Sequence, residues 1–188
     1  MGMPETLQRW TAARVRELPD DGKRYEVVDG ELLVTPAPRF DHQRAVGALH
    51  IALHGYLSGM RVGEVVMSPA DIEFDPMTLV QPDVFVVPLK EGRRPKTWAD
   101  IHGLLLAIEV LSPSTARADR TTKRRRYQRA GVPEYWVVDL DARLVERWRP
   151  DDERPEVLTD RLAWQPDPSA PSFELELSRF FAQALAEE

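Results

Sequence analysis

The run "LLLAIEVL", Leu104 to Leu111, holds one residue that does not suit a buried strand, Glu109. Successive strand side chains point to opposite faces, so Glu109 shares its face with Leu105, Ala107 and Leu111. An unpaired carboxylate buried there costs several kcal/mol or takes up a proton, so a partner or a cation is expected. A partner is at hand in the preceding apolar run, "QPDVFVV", where Asp83 shares a face with Phe85 and Val87. If the two runs pair antiparallel, the start of one lies beside the end of the other, and Asp83 meets Glu109 at one end of a sheet. Two adjacent carboxylates repel, and a divalent ion resolves the conflict; oxygen donors favour Mg²⁺ or Mn²⁺ over zinc. Lys123 is the next charged group able to serve such a site, because Asp119, Lys123 and Tyr127 are spaced i, i+4, i+8 on one helical face. An ammonium there can orient a metal-bound water or offset charge developing on a phosphate. Ser112, Ser114 and Thr115 offer capping hydroxyls between that strand and that helix.

The same helix carries the densest positive charge in the chain. From Arg117 to Arg129 seven cationic side chains face one acid, Asp119, so this segment is +6 in a chain of net charge -6. A solvated helix face is the ordinary reading of such a run; a surface for a phosphate-bearing partner is the functional one. His50 and His54 have a metal-ligand spacing but no third ligand nearby, so a half-buried helical pair is expected rather than zinc. Asp71, Glu73 and Asp75 alternate with Ile72 and Phe74, as on the wet face of an edge strand. Cysteine is absent, which excludes disulfides, thiolate metal sites and cysteine nucleophiles. Neither a phosphate-binding loop nor a dinucleotide fingerprint occurs, so no nucleotide cofactor is expected.

The elements that must hold these residues follow from periodicity and turn signals. Residues from about Thr6 to Leu18 suggest an amphipathic helix, and "RYEVVDGELLVTP" a hairpin turning at Asp29-Gly30. Asp41 to Leu57 has helical spacing of apolar residues; two short strands follow, around Gly63 to Met67 and Asp71 to Phe74. After the two core strands and the basic helix come the strands "EYWVVDL" and "LVERWR". A Pro- and Asp-rich stretch with a little strand then leads to a closing helix capped by Ser178. This order predicts an α/β or mixed α+β fold: a mixed central sheet flanked by helices, as one domain over residues 1–188. The start "MGMPETLQRW" lacks a signal peptide's layout and no apolar run could span a bilayer, so a cytoplasmic protein without membrane contact is expected.

Four segments together, Pro82-Asp83, "EVLSPST" from Glu109, "DRTTKRRRYQRAGVPEYWVVD" from Asp119 and "YEVVDGEL" from Tyr25, carry a resemblance. They resemble the Uma-type endonuclease family of the restriction-endonuclease-like PD-(D/E)xK nuclease superfamily, over most of the chain. The resemblance implies a restriction-endonuclease-like core and metal-dependent hydrolysis of DNA, with Asp83, Glu109 and the carbonyl of Val110 binding Mg²⁺ or Mn²⁺. The motif lysine would fall at position 111, where this chain has Leu111; the relatives supply it from the following helix, and Lys123 occupies that place. Glu26 matches a family glutamate, read either as a ligand or water-holding group or as an exposed strand residue. Arg120 and Arg124 are candidates to grip phosphates, with Tyr127 and His42 as further substrate contacts. Tyr127 reads better as packing plus one hydrogen bond, and His42 equally well as packing at its helix start. Double-strand cutters often work in pairs, which makes a homodimer an expectation that no single residue locates. A silent binding or assembly module on the same scaffold is the alternative of a different class.

Overall fold

Val, Ile and Phe crowd the two central strand segments, and burial on both faces of one sheet is the physical outcome. A computed structural model describes residues 9–186. The helix expected from Thr6 is the short α1 (Ala12–Arg16), N-capped by the Thr11 hydroxyl, which accepts from the Arg14 amide at 3.2 Å. Of that expectation, Thr6 to Gln8 lie outside the described residues, and Arg9 to Thr11 and Glu17 to Leu18 are not helical. Strands β1 (Arg24–Val28) and β2 (Glu31–Thr35) form the expected hairpin. Asp29 and Gly30 take φ of 52° and 86°, the positive pair that a type I′ turn demands.

Helix α2 (Phe40–Leu57) leads to β3 (Gly63–Met67), β4 (Ile72–Asp75) and β5 (Thr78–Val80), the last a strand that periodicity did not reveal. The core strands are β6 (Val84–Pro88) and β7 (Leu106–Val110). A helical crossover follows: α3 (Ala116–Ala118), a π-helical stretch (Asp119–Lys123) and α4 (Arg124–Arg129). Next come β8 (Glu134–Asp139), β9 (Leu144–Trp148), β10 (Glu156–Leu158), β11 (Arg161–Trp164) and β12 (Phe173–Glu176). Helix α5 (Leu177–Leu185) closes the described chain. Its N-cap is Glu176 rather than Ser178: β12 persists through Glu176, and the Ser178 hydroxyl is bound to the Glu176 carboxylate.

Six strands make the central sheet, in the order β10-β9-β8-β7-β6-β3. Only β7 and β8 run parallel, and a parallel pair needs the long crossover that the basic helix provides. A second sheet, β2-β1-β5-β4, lies across one face; β11 and β12 pair separately. On the other face, Leu49 and Leu53 of α2 and Phe180 and Phe181 of α5 pack against Val84, Val86, Ile108 and Trp136. The face toward the second sheet joins Phe85, Ala107, Tyr135 and Val137 to Val28, Ile72 and Val80, with Tyr127 between the layers. This is a mixed α+β fold with a central mixed sheet and flanking helices.

Candidate active site

The β6–β7 register sets Val84 opposite Ile108, so Asp83, one residue earlier, stands across from Glu109. Each is almost wholly buried, at 3% and 2% exposure. Asp83 is held from several directions. Arg24 Nη1 donates to Oδ1 at 2.8 Å, the Val110 amide donates to Oδ2 at 2.9 Å, and His42 Nε2 lies 3.1 Å from Oδ2. Arg24 and Glu26 are two apart on β1, on one face, so the hairpin delivers a cation and an acid to the same place. His42 enters from the first turn of α2.

Lys123 approaches from the crossover helix. Its Nζ lies 2.7 Å from Glu26 Oε2, 3.0 Å from Glu109 Oε1 and 3.5 Å from Asp119 Oδ1. In a regular α-helix the i, i+4, i+8 series drifts around the axis; the wider π turn at Asp119–Lys123 takes up that drift. Asp119, Lys123 and Tyr127 are consequently all buried. The Tyr127 hydroxyl donates to Glu109 Oε1 at 3.1 Å, and the Tyr135 hydroxyl donates to the Asp119 carbonyl at 3.0 Å. The Gln81 amide donates to Glu26 Oε1 at 2.7 Å.

Burial and partners act against each other here. Burial pushes the Asp83 carboxyl up, but the His42 hydrogen bond and the Arg24 charge outweigh it and hold the group at about 2. Glu109 goes the other way: burial raises it well above the usual carboxylate value, and the Lys123 ammonium offsets this only in part. Asp119 is raised, by burial first. Burial would depress Lys123, yet the charges of Glu109, Glu26 and Asp119 drive it well above its ordinary range. Asp83 likewise outweighs burial at His42 and favours its protonated ring.

A cavity of about 230 Å³ opens onto Glu26, His42, Asp83, Glu109, Val110 and Lys123. Four acids (Glu26, Asp83, Glu109 and Asp119) stand against two permanent cations, Arg24 and Lys123, and His42. The oxygen donors of this cluster suit a hard divalent ion. Among the described residues no group of three or more His, Asp and Glu side chains forms a ready-made cage. A divalent ion would therefore draw on Asp83, Glu109, a backbone carbonyl and water, which is how Mg²⁺ is usually held.

The model of the Uma2 family, described as "Putative restriction endonuclease", matches residues 10–178. The chain belongs to the Uma2 family. Among solved structures, the crystal structure of "a putative nuclease belonging to DUF820" from Anabaena variabilis matches with a TM-score of 0.75. That match covers 93% of this chain and 99% of that chain, at 20% identity. It shows that the two chains share a fold. No curated protein matches the chain.

Within this Uma2 chain the expected residues divide into two groups. Asp83, Glu109, Val110, Lys123, Glu26 and His42 converge on one cavity, and Tyr127 lies beneath it. Arg120 and Arg124 do not. Arg120 forms ion pairs of 2.7 Å with both Asp139 and Glu146, and Arg124 lies over the Trp148 ring and donates to Gln128. Arg126 pairs with Asp75 at 2.6 Å, and Arg129 with Asp29. Arg120, Arg126 and Arg129 are thus paired with acids of β8, β9, β4 and the β1–β2 turn, while Arg117 and Arg125 are exposed, so the run is only in part a solvated face. Asp71, just before edge strand β4, and Glu73 on it pair with Arg16 of α1, as a wet face allows. His50 and His54 stack at 6.0 Å on α2, away from the cavity. Arg24 was missed, although its place two residues before Glu26 was a usable signal. Asp119 was signalled only by the helical face that it shares with Lys123, whose Nζ lies 3.5 Å from its carboxylate.

Proposed function

We propose that this protein is a metal-dependent endonuclease that hydrolyses DNA phosphodiester bonds, with Asp83, Glu109 and the Val110 carbonyl holding Mg²⁺ or Mn²⁺. The observation that carries the reading is the meeting of Asp83 and Glu109 across antiparallel strand ends with Lys123 Nζ 3.0 Å from Glu109. Family membership and a nuclease-like fold support it from outside the site. A divalent ion bound there supplies Lewis-acid polarisation of the phosphate and a more acidic water.

The chain's own groups do the rest. Lys123, held between Glu26 and Glu109, presents an ammonium that orients the attacking water or offsets charge on the phosphate oxygens. Glu26 faces the same ammonium and is placed to hold that water's proton. Arg24 and His42 are positioning residues: they keep the Asp83 carboxylate ionised and in one orientation. Tyr127 fixes the orientation of the Glu109 carboxyl. Burial of the whole group keeps bulk water away, so each charge acts at low local dielectric.

The test is cleavage of plasmid and single-stranded DNA with Mg²⁺ or Mn²⁺, beside the Asp83→Ala variant. Metal-dependent cutting that vanishes in the variant is the expected result; equal cutting by both proteins rules the site out. A second reading, a scaffold without turnover, draws on the engagement of both Asp83 oxygens inside the protein. Calorimetric titration with Mn²⁺ separates the two, since a silent module shows no tight binding.

A further inference from the structure

The proposed site is nearly sealed. Glu26, His42, Asp83, Glu109 and Lys123 are each exposed by 5% or less. The 230 Å³ cavity lies between two larger depressions. On one side it shares Arg24 and Pro36–Pro38 with a cleft of about 460 Å³; on the other it shares Arg39, His42, Ser112 and Pro113 with a groove of about 300 Å³. The three adjoin through these shared residues, with the carboxylates lining the middle one and the segment Pro36-Ala37-Pro38-Arg39 running along them, its prolines on the cleft and Arg39 on the groove.

That wall is stiff. Proline fixes its own φ and confines the preceding residue to extended backbone, so Thr35 to Pro38 has little freedom to bend. It is tied to β2 at one end and α2 at the other. The narrowness is therefore built in. A duplex is rigid over about 150 base pairs, and its phosphates lie on the outside of a rod. Its axis resists bending along a row of narrow depressions, whereas a flexible unpaired strand can follow them with its flanks in the outer two.

Next to the groove, between its lining residues Arg39 and Asp41, the chain carries what such a strand binds to. Phe40 is 75% exposed, with the Arg44 guanidinium 5.9 Å from its ring as its cationic neighbour. Arg39, next to it, is exposed and lines both the cavity and the groove. An exposed ring beside cations is a platform on which a base stacks while a phosphate is gripped.

We propose that the substrate is an unpaired strand: single-stranded DNA threads through the row of depressions, Phe40 stacks a base and Arg39 holds a phosphate. This rests on the nuclease reading, and its test keeps the two apart. Binding of a short fluorescent oligonucleotide, alone or annealed to its complement, is measured by anisotropy in EDTA; cutting of a single-stranded circle, a duplex circle and a gapped circle is measured in Mn²⁺. The single strand is expected to bind about tenfold tighter or more, with cutting confined to the single-stranded circle and the gap. Phe40→Ala is expected to weaken single-strand binding about fivefold or more. Arg39→Ala is expected to lower the salt slope by about 0.7. Both side chains are exposed, so melting temperatures should not move. Equal binding or cutting of duplex overturns the proposal and leaves the nuclease reading standing. Tight single-strand binding with no cutting leaves the strand path standing and removes the nuclease. Failure to bind either form overturns the proposal.

Discussion

Lys123→Met tests the electrostatic centre directly. The substitution keeps most of the aliphatic stem and removes the ammonium that lies 2.7 Å from Glu26, 3.0 Å from Glu109 and 3.5 Å from Asp119. Removing one partner of a buried ionic group costs about 3–5 kcal/mol, because the other charges stay buried without compensation. For a chain of this size that is a fall in Tm of roughly 6–20 °C. The loss should depend on pH. Glu109 and Asp119 already lie above their ordinary 4.5 and 3.8 because of burial, and without the ammonium they rise further. A group whose folded pKa is raised stabilises below its unfolded value and loses that contribution as pH rises through the folded one. Lys123 itself, raised well above 10.5, keeps its contribution in the wild type until the pH exceeds that value. The gap between variant and wild type should therefore be small near about pH 4 and widen toward about pH 8. Thermal melts by circular dichroism in EDTA at both pH values measure it. A gap that is constant with pH, or below about 1 kcal/mol, would refute the picture of an ammonium balancing buried carboxylates.

Two further outcomes follow from the same contacts. Arg24→Ala should destabilise by about 2–3 kcal/mol at neutral pH, measured by urea unfolding, since a buried charge-assisted bond to Asp83 is lost. Asp83 is held at about 2, below its usual 3.8, so its contribution is present above the unfolded value and the deficit should shrink as pH falls through that window. Tyr127→Phe should cost about 1–2 kcal/mol through its lost hydrogen bond to Glu109, with an unchanged circular dichroism spectrum. The ring keeps its packing against Phe74 and Tyr135, with centroids at 6.1 and 4.7 Å.

The sequence by itself determined the two core strands and the polar residues at their ends, while their antiparallel pairing came from the fold. Apolar alternation around Glu109, and the run after Asp83, carry local information, and local periodicity sets which face a side chain takes. The Asp29-Gly30 turn was legible for the same reason, since it needs positive φ at two adjacent residues. Ser178 was misjudged as a cap because strand β12 runs on to Glu176, a pairing with β11 that the helix signal does not contain. The tertiary structure alone decided where the charges went. Arg120 and Arg124 read as free cations when counted along their helix, yet Asp139, Glu146 and Trp148 arrive from β8 and β9 to occupy them. Asp83 read as half of a carboxylate pair, yet it meets Arg24 and His42, 59 and 41 residues away in the chain. Charge is conspicuous in a sequence, but its partner is chosen by folding, because Coulomb attraction depends on distance in space and the sequence records only distance along the chain.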